Sequence, residues 1–147
     1  RMHAWAQRAN PDVVLIMLGS NDLGANQSVD STVDELRRII DVLRIHNAEV
    51  TVLLGTVIPS TSPRLNQRIL ALNKALGTAV PRPHAEGSPV LLVDHHGAFD
   101  SGQDTYDGLH PNAQGTSKLA SNWLKTLKDV LPPPSHVESN KHDKPFP

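Results

Sequence analysis

Three short apolar runs, separated by longer stretches with helical periodicity, constrain the fold of this chain most strongly. The runs span residues 12–18, 49–58 and 90–94 and are rich in Val, Ile and Leu. Continuous apolar runs without alternation are typical of strands that are covered on both faces. The sequence therefore predicts three strands of a parallel sheet.

Three amphipathic segments alternate with these runs. We expect Ser31 to cap the first, whose apolar positions recur at helical spacing up to Leu43. The second segment spans Pro63–Val80 and the third spans about Ala113–Leu131, with one stripe of apolar side chains. A β-α-β-α-β-α order requires right-handed crossovers, so the sequence predicts a three-layer α/β fold with helices on both faces of the sheet.

Composition limits the number of domains and the classes of partner. The chain has 147 residues, of which 38% are hydrophobic, and we expect one domain over residues 1–131 followed by a polar, disordered tail over 132–147. A net charge of −1 with interspersed signs gives no electrostatic footprint for nucleic acid or for an anionic membrane surface. The apolar runs are strand-sized, too short to span a membrane. A small neutral or weakly polar partner fits this charge pattern better than nucleic acid or an anionic membrane does.

Two further expectations come from the lack of cysteine and from the identity of the first residue. Without cysteine, the chain has no disulfide framework, no thiolate metal site and no cysteine nucleophile. The chain opens at Arg1 without an initiator Met, so we expect a processed or truncated piece of a protein.

The run Asp-Gly-Leu-His-Pro-Asn at 107–112 is the strongest motif. In a chain of this composition, Asp-Gly-x-His-Pro-Asn is expected about 0.0002 times by chance. A carboxylate three residues before a histidine can reach one ring nitrogen and leave the other free as a base. Pro111 disfavours helix at His110, so we expect this histidine on an exposed loop, with the last helix capped by Asn112.

A second motif, Gly-Ser-Asn-Asp at 19–22, directly follows the first apolar run. Gly-x-Asn-Asp is expected about 0.04 times by chance, so its signal is moderate. The motif at 107–112 lies after the third run. In a parallel sheet, ligands bind beyond the carboxyl ends of the strands, and both motifs are predicted at that end.

Together the two motifs resemble the later sequence blocks of the SGNH (GDSL-type) hydrolase family. The resemblance implies that Asn21 donates to an oxyanion, that Asp107 orients the imidazole and that His110 is the general base. Gly19 and Asp22 would support the loop that carries Asn21. The family fold is flavodoxin-like, and this chain would supply its later strands and lack the first ones.

A finer resemblance concerns the run 104–112, which is similar to acetylxylan-esterase-like carbohydrate esterases of this family. It implies a serine esterase that removes acetyl groups from carbohydrate esters, with a small ester or an acetylated polysaccharide as substrate. Such chemistry needs no metal and no organic cofactor. Secretion is the location that these relatives favour.

The nucleophile of the family is missing from this chain. The family carries it in a Gly-Asp-Ser block, which does not occur here. The nucleophile is therefore unknown, and the first strand would keep an unpaired edge, which invites pairing with another chain. Ser20 lies at the right end of the sheet but lacks a Gly-x-Ser-x-Gly elbow, so it is a weak substitute.

Structural explanations compete with these assignments. Asn21 and Asp22 suit a simple turn, and His110 suits a capping or surface position. Lipid esters or thioesters as substrates, or a non-catalytic binding module of the same fold, are the alternative functions.

Other residues that suggest binding are His95, His96 and the two tryptophans. Adjacent histidines in an extended segment point to opposite faces and cannot readily chelate one metal ion. We expect one of the two histidines to line the cleft or to pack under the loop. Trp123 is expected in the core, and the role of Trp5 is open.

Overall fold

The computed structural model describes residues 2–79 and 89–131. The predicted tail at 132–147 and the predicted helix end at Val80 lie outside the described residues. Within the described part, no helix has both the length and the apolar composition needed to cross a membrane. In chain order the elements are α1 (Met2–Ala9), β1 (Val13–Ile16), α2 (Ser20–Gly24), α3 (Val29–His46), β2 (Thr51–Gly55), α4 (Pro63–Ala79), β3 (Val90–Val93) and α5 (Ala113–Val130).

The three strands form one parallel sheet in the order β1-β2-β3, as the apolar runs predict. Leu15, Leu53 and Leu91 lie in register across it. β2 is the central strand, and four of its five residues are buried. Each strand is shorter than its apolar run, since the strands end at Ile16, Gly55 and Val93. The predicted α/β class with a parallel sheet is confirmed.

Helices cover both faces of the sheet. On one face, α3 and α4 pack together and enclose the main core, and α1 packs against α3 through the fully buried Ala6. On the other face, α5 contacts β2 and β3. The core contains Ile16, Leu36, Ile40, Leu43, Val52, Leu54, Ile69, Leu72 and Leu76, among others.

The coverage of the second face stops before β1. Leu15 lies on this face, since its neighbour Ile16 belongs to the core on the other side, and 42% of Leu15 is exposed. Among the described residues, β1 also has a paired strand on only one side. The predicted stripe on α5 is correspondingly half-covered: Trp123 is partly exposed and Leu131 is exposed.

The structure corrects the expected helices in three places. Helices α1 and α2 were not expected, because eight and five residues are too few for a clear periodic pattern. The predicted cap at Ser31 is wrong: α3 begins earlier, and the hydroxyl of Ser28 accepts the hydrogen bond from the Ser31 backbone N–H. The Asn112 cap of α5 is confirmed, since its side chain accepts from the Gly115 N–H.

Candidate active site

The loop between β3 and α5 brings Asp107 and His110 together. Asp107 Oδ2 lies 2.7 Å from His110 Nδ1. The other carboxylate oxygen, Oδ1, accepts the backbone N–H groups of Leu109 at 3.0 Å and of His110 at 2.7 Å. The three-residue spacing thus forms the contact expected from the sequence. Both side chains are about half exposed, so an incoming ligand can reach them.

The charge on Asp107 defines which nitrogen of His110 carries the hydrogen. The backbone N–H of His110, followed by its side chain, lowers the pKa of Asp107 to about 2. An ionised carboxylate can only accept hydrogen bonds, so Nδ1 must be the donor. Nε2 of the neutral imidazole is then unprotonated and can act as a base.

Tyr106 extends the surface beside His110. The two rings are nearly parallel, with an angle of 16° and 5.8 Å between their centroids. The Tyr106 backbone N–H donates to the His110 carbonyl at 3.1 Å, so the backbone of Tyr106 is held next to that of His110. The Tyr106 side chain is exposed. Tyr106 lies inside the 104–112 run, but no pattern in the sequence predicted a role for it.

Gly108 fixes the loop through its backbone. Its φ of +84° is in the region that favours glycine, and an added Cβ would lie 2.0 Å from Thr61 Oγ1. Its carbonyl accepts the Thr61 N–H at 2.9 Å and the Ser60 hydroxyl at 3.1 Å. The loop after β2 therefore supports the loop that carries Asp107 and His110.

A buried ion pair attaches the same loop to α5. The Asp104 side chain is fully buried, and Lys118 Nζ lies 2.7 Å from its Oδ2. The Asp100 backbone N–H and the Gln114 amide also donate to this carboxylate. The hydrogen bond from Lys118 is the main cause that lowers the pKa of Asp104. Asp104 is thus an anchor, held away from solvent.

The Gly19–Asp22 run does not form the simple turn that was the alternative explanation for Asn21 and Asp22. Ser20 begins the short helix α2, which places Asn21 and Asp22 in its first turn. Gly19 precedes it with φ +120°, and an added Cβ would lie 2.7 Å from Leu72 Cδ2. Asn21 is exposed at the carboxyl end of β1. No hydrogen bond among the described residues joins it to Asp107 or His110.

The two motifs are instead connected through the segment after β2. Ser60 and Thr61 bind Gly108, as described above. A few residues further on, Arg68 Nη1 donates to the Leu23 carbonyl of α2 at 2.7 Å, and its Nη2 donates to the Gln27 carbonyl. This segment carries no recognisable motif, and its place after a strand is the one pattern that could have pointed to it.

His95 packs inside the protein, below the last helix. The residue is fully buried, and its ring meets the Trp123 ring edge-on at a centroid distance of 4.3 Å. Burial is the main cause that lowers its pKa, and the charge of Asp94 opposes it. Across residues 2–79 and 89–131, no group of three His, Asp or Glu side chains converges as a metal site would require.

The family of the chain follows from comparison with known proteins. A model of the GDSL-like Lipase/Acylhydrolase family matches residues 1–118. The chain belongs to this family. The predicted membership is thereby confirmed, and the family consists of ester hydrolases.

Three relatives show where the similarity extends. A carbohydrate esterase family 3 structure from Talaromyces cellulolyticus superposes with a TM-score of 0.80 at 27% identity, covering 88% of this chain and 63% of that one. A family 3 carbohydrate esterase from Clostridium thermocellum gives a TM-score of 0.72 at 29% identity, covering 88% and 62%. A multidomain esterase of Ruminococcus flavefaciens is 26% identical over 132 residues, which is 86% of this chain and 17% of that protein. The chain thus spans less than two thirds of each of these relatives.

Proposed function

We propose that this GDSL-type hydrolase removes acetyl groups from carbohydrate esters through a serine nucleophile. The observation that carries the proposal is the 2.7 Å contact between Asp107 Oδ2 and His110 Nδ1, with the carboxylate ionised and both side chains accessible. This is the arrangement that a histidine base needs in order to activate a hydroxyl group. The similarity to carbohydrate esterases supports the substrate class.

The proposed reaction is acyl transfer in two steps. His110 Nε2 takes the proton from the serine hydroxyl as its oxygen attacks the ester carbonyl, and Asp107 stabilises the resulting imidazolium. The Asn21 amide donates to the oxyanion of the tetrahedral intermediate. Collapse of the intermediate expels the alcohol, which takes the proton from His110. Water, activated by the same base, then releases acetate and restores the serine.

The proposed source of the serine is a segment outside these 147 residues. The unpaired side of β1 and the exposed Leu15 are consistent with a further strand beside β1 and a helix above it. A nucleophile at the carboxyl end of such a strand would face the same end of the sheet as Asn21 and His110. Ser20 is the alternative within the chain, since it precedes Asn21 at the start of α2.

The location and the substrate remain part of the proposal. Acetylated plant-type polysaccharides lie outside cells, so we propose that the protein is secreted. The mechanism above requires no metal and no organic cofactor. Lipid esters and thioesters would use the same catalytic groups with different binding loops.

Hydrolysis of p-nitrophenyl acetate tests the proposal. The assay compares the 147-residue chain, a version extended upstream in its gene, and the His110→Ala variant of each. We expect activity only in the extended version and its loss in the variant. Activity of the short chain that depends on His110 would overturn the proposed upstream nucleophile and make Ser20 the first candidate. No activity in either version would favour a non-catalytic binding module.

A further inference from the structure

Two arginines at the start of α4 converge on one side chain, Asn26, which lies two residues after the end of α2. Arg64 Nη2 lies 3.0 Å and Arg68 Nη1 lies 3.1 Å from the same oxygen, Asn26 Oδ1. Both arginines line a cavity of about 260 Å³ between α2 and α4, with Ser62 at its edge. Two guanidinium groups are thus held on one side of a small, open cavity.

The positive charge of this pair is not balanced nearby. Among the described residues, no carboxylate lies within 4.0 Å of Arg64 or Arg68. The acceptors that hold Arg68 are neutral: the carbonyls of Leu23 and Gln27 and the amide of Asn26. Like charges held side by side without a counter-charge favour the binding of an anion.

The two arginines differ in how many of their N–H groups remain available to a ligand. Arg68 is partly buried and donates to three acceptors. Its role in holding α2 is therefore enough to explain its position. Arg64 is exposed, and its one hydrogen bond in the described structure uses Nη2, which leaves the remaining N–H groups for a ligand. Asn26 adopts a left-handed φ of 67°, and with Oδ1 occupied by the arginines its Nδ2 is a further donor. Donors therefore dominate the cavity.

The cavity borders both halves of the candidate site. Its wall includes Leu23 of α2, the five-residue helix that begins with Ser20 and Asn21. Its edge, Ser62, follows Thr61, whose N–H binds the carbonyl of Gly108 next to Asp107. Residues that line the cavity are therefore sequence neighbours of residues in both halves of the candidate site.

We infer that the cavity binds the carboxylate of a uronic-acid substituent on an acetylated polysaccharide. The inference rests on the proposed function and narrows its substrate to acidic, branched polysaccharides. The planar guanidinium of Arg64 matches a carboxylate in two-point hydrogen bonding. The cavity is below the usual 300–1,000 Å³ of ligand pockets, which suits one sugar unit rather than a longer chain. A phosphate group shares this chemistry, so the test must separate the two anions.

The test is a binding titration by calorimetry with the 147-residue chain. The probes are xylotriose carrying one methylglucuronic acid, unsubstituted xylotriose and inorganic phosphate. The variants are Arg64→Gln and, as a matched control, Arg37→Gln, an exposed arginine of α3 that contacts Asp34. We expect the acidic sugar to bind at least about 5-fold more tightly than the neutral one, because a hydrogen bond between charged groups is stronger than a neutral one. Arg64→Gln should remove this difference, whereas Arg37→Gln should keep it.

Four results would overturn the inference. Equal affinity for the two sugars would reject the acidic subsite and leave the carbohydrate esterase proposal standing. Retention of the preference in Arg64→Gln would place the anion elsewhere. Phosphate binding that depends on Arg64, without a preference for the acidic sugar, would assign the cavity to phosphate. Failure of both sugars to bind would reject the subsite, and the separate p-nitrophenyl acetate assay would then show whether the esterase itself survives.

Discussion

The hydroxyl of Ser60 donates a hydrogen bond to the carbonyl of Gly108 over 3.1 Å, and this contact joins the loop after β2 to the loop that carries Asp107 and His110. Ser60 is buried, and its oxygen also accepts the backbone N–H of Ser62 at 3.2 Å. One side chain therefore organises two backbone groups, and one of them, the Gly108 carbonyl, belongs to the residue that follows Asp107. The position of His110 depends on a residue 50 positions earlier in the sequence.

Replacing Ser60 by Ala should lower the free energy of unfolding by about 1–2 kcal/mol, because the variant loses two partly buried hydrogen bonds of the hydroxyl, to the Gly108 carbonyl and from the Ser62 N–H. Gly108 keeps the N–H of Thr61, which limits the loss. Urea denaturation measures the change. Ser121→Ala, an exposed serine of α5, is the control and should stay within about 0.5 kcal/mol of the wild type. A Ser60→Ala variant as stable as this control would show that the hydrogen bonds of Ser60 make no net contribution to the free energy of unfolding.

Two helical glycines should respond to alanine in opposite ways. At Gly115, a Cβ would lie 2.1 Å from the Asp104 carbonyl oxygen, so we expect Gly115→Ala to destabilise by about 1–3 kcal/mol. At Gly77, a Cβ meets no described atom within 4 Å, so Gly77→Ala should stabilise by about 0.4–1 kcal/mol. Thermal unfolding of the two variants measures both signs. Stabilisation by Gly115→Ala would contradict the close approach of α5 to the loop at Asp104.

The sequence predicted what depends on local pattern. The three strands follow from apolar runs, and the contact between Asp107 and His110 follows from a spacing of three residues in a tight loop. The Asn112 cap follows from its place directly before the last helix. Each of these features is decided by neighbouring residues, so no knowledge of the tertiary fold was required.

What the sequence could not predict depends on distant contacts or on very short elements. Helix α2 is only five residues long, too short for a periodic signal. The support of Gly108 by Ser60 and the hold of Arg68 on α2 join residues more than 40 positions apart. Leu15 looks like core in the sequence, and only the placement of α5 over β2 and β3 shows that it is uncovered.

Asp107 should stay ionised down to about pH 2, because the His110 backbone N–H and side chain lower its pKa from the ordinary value of 3.8. A lowered pKa means that its contribution to stability is complete above pH 3.8 and is lost as the pH falls towards 2. NMR titration of the carboxyl carbon measures this pKa directly. His110→Ala should raise it only part of the way to 3.8, since the backbone donors remain. A pKa near 3.8 in the wild type would contradict the hydrogen bonds described.

The acidic side of the pH–activity profile is a related expectation. Because Asp107 is charged throughout the range in which esterases are assayed, the loss of activity at low pH should not arise from its protonation. Asp107→Asn should therefore lower kcat at every pH, and an acidic limb should remain in the profile of the variant. Disappearance of the acidic limb in Asp107→Asn would instead assign that limb to the protonation of Asp107.

Asn21→Ala should lower kcat of the extended enzyme by about 100- to 1,000-fold and change KM little, because the amide is proposed to donate to charge that develops only in the transition state. Steady-state hydrolysis of p-nitrophenyl acetate measures both parameters. Asp41→Ala, an exposed acid of α3, is the control and should leave them unchanged. A rise in KM with unchanged kcat would make Asn21 a binding residue rather than an oxyanion donor.

Leu15→Glu should have opposite consequences in the short and extended chains. In the 147-residue chain, Leu15 is 42% exposed on an uncovered part of the sheet, so a charge there should cost less than about 1 kcal/mol and should reduce self-association along β1. In the extended chain, the proposed helix would bury this side chain, and the variant should lose at least about 1.5–3 kcal/mol of stability. Sedimentation velocity and urea denaturation of both forms measure these effects. An equal cost in the two chains would show that the upstream segment does not cover β1, and the serine would then have to reach His110 by another route.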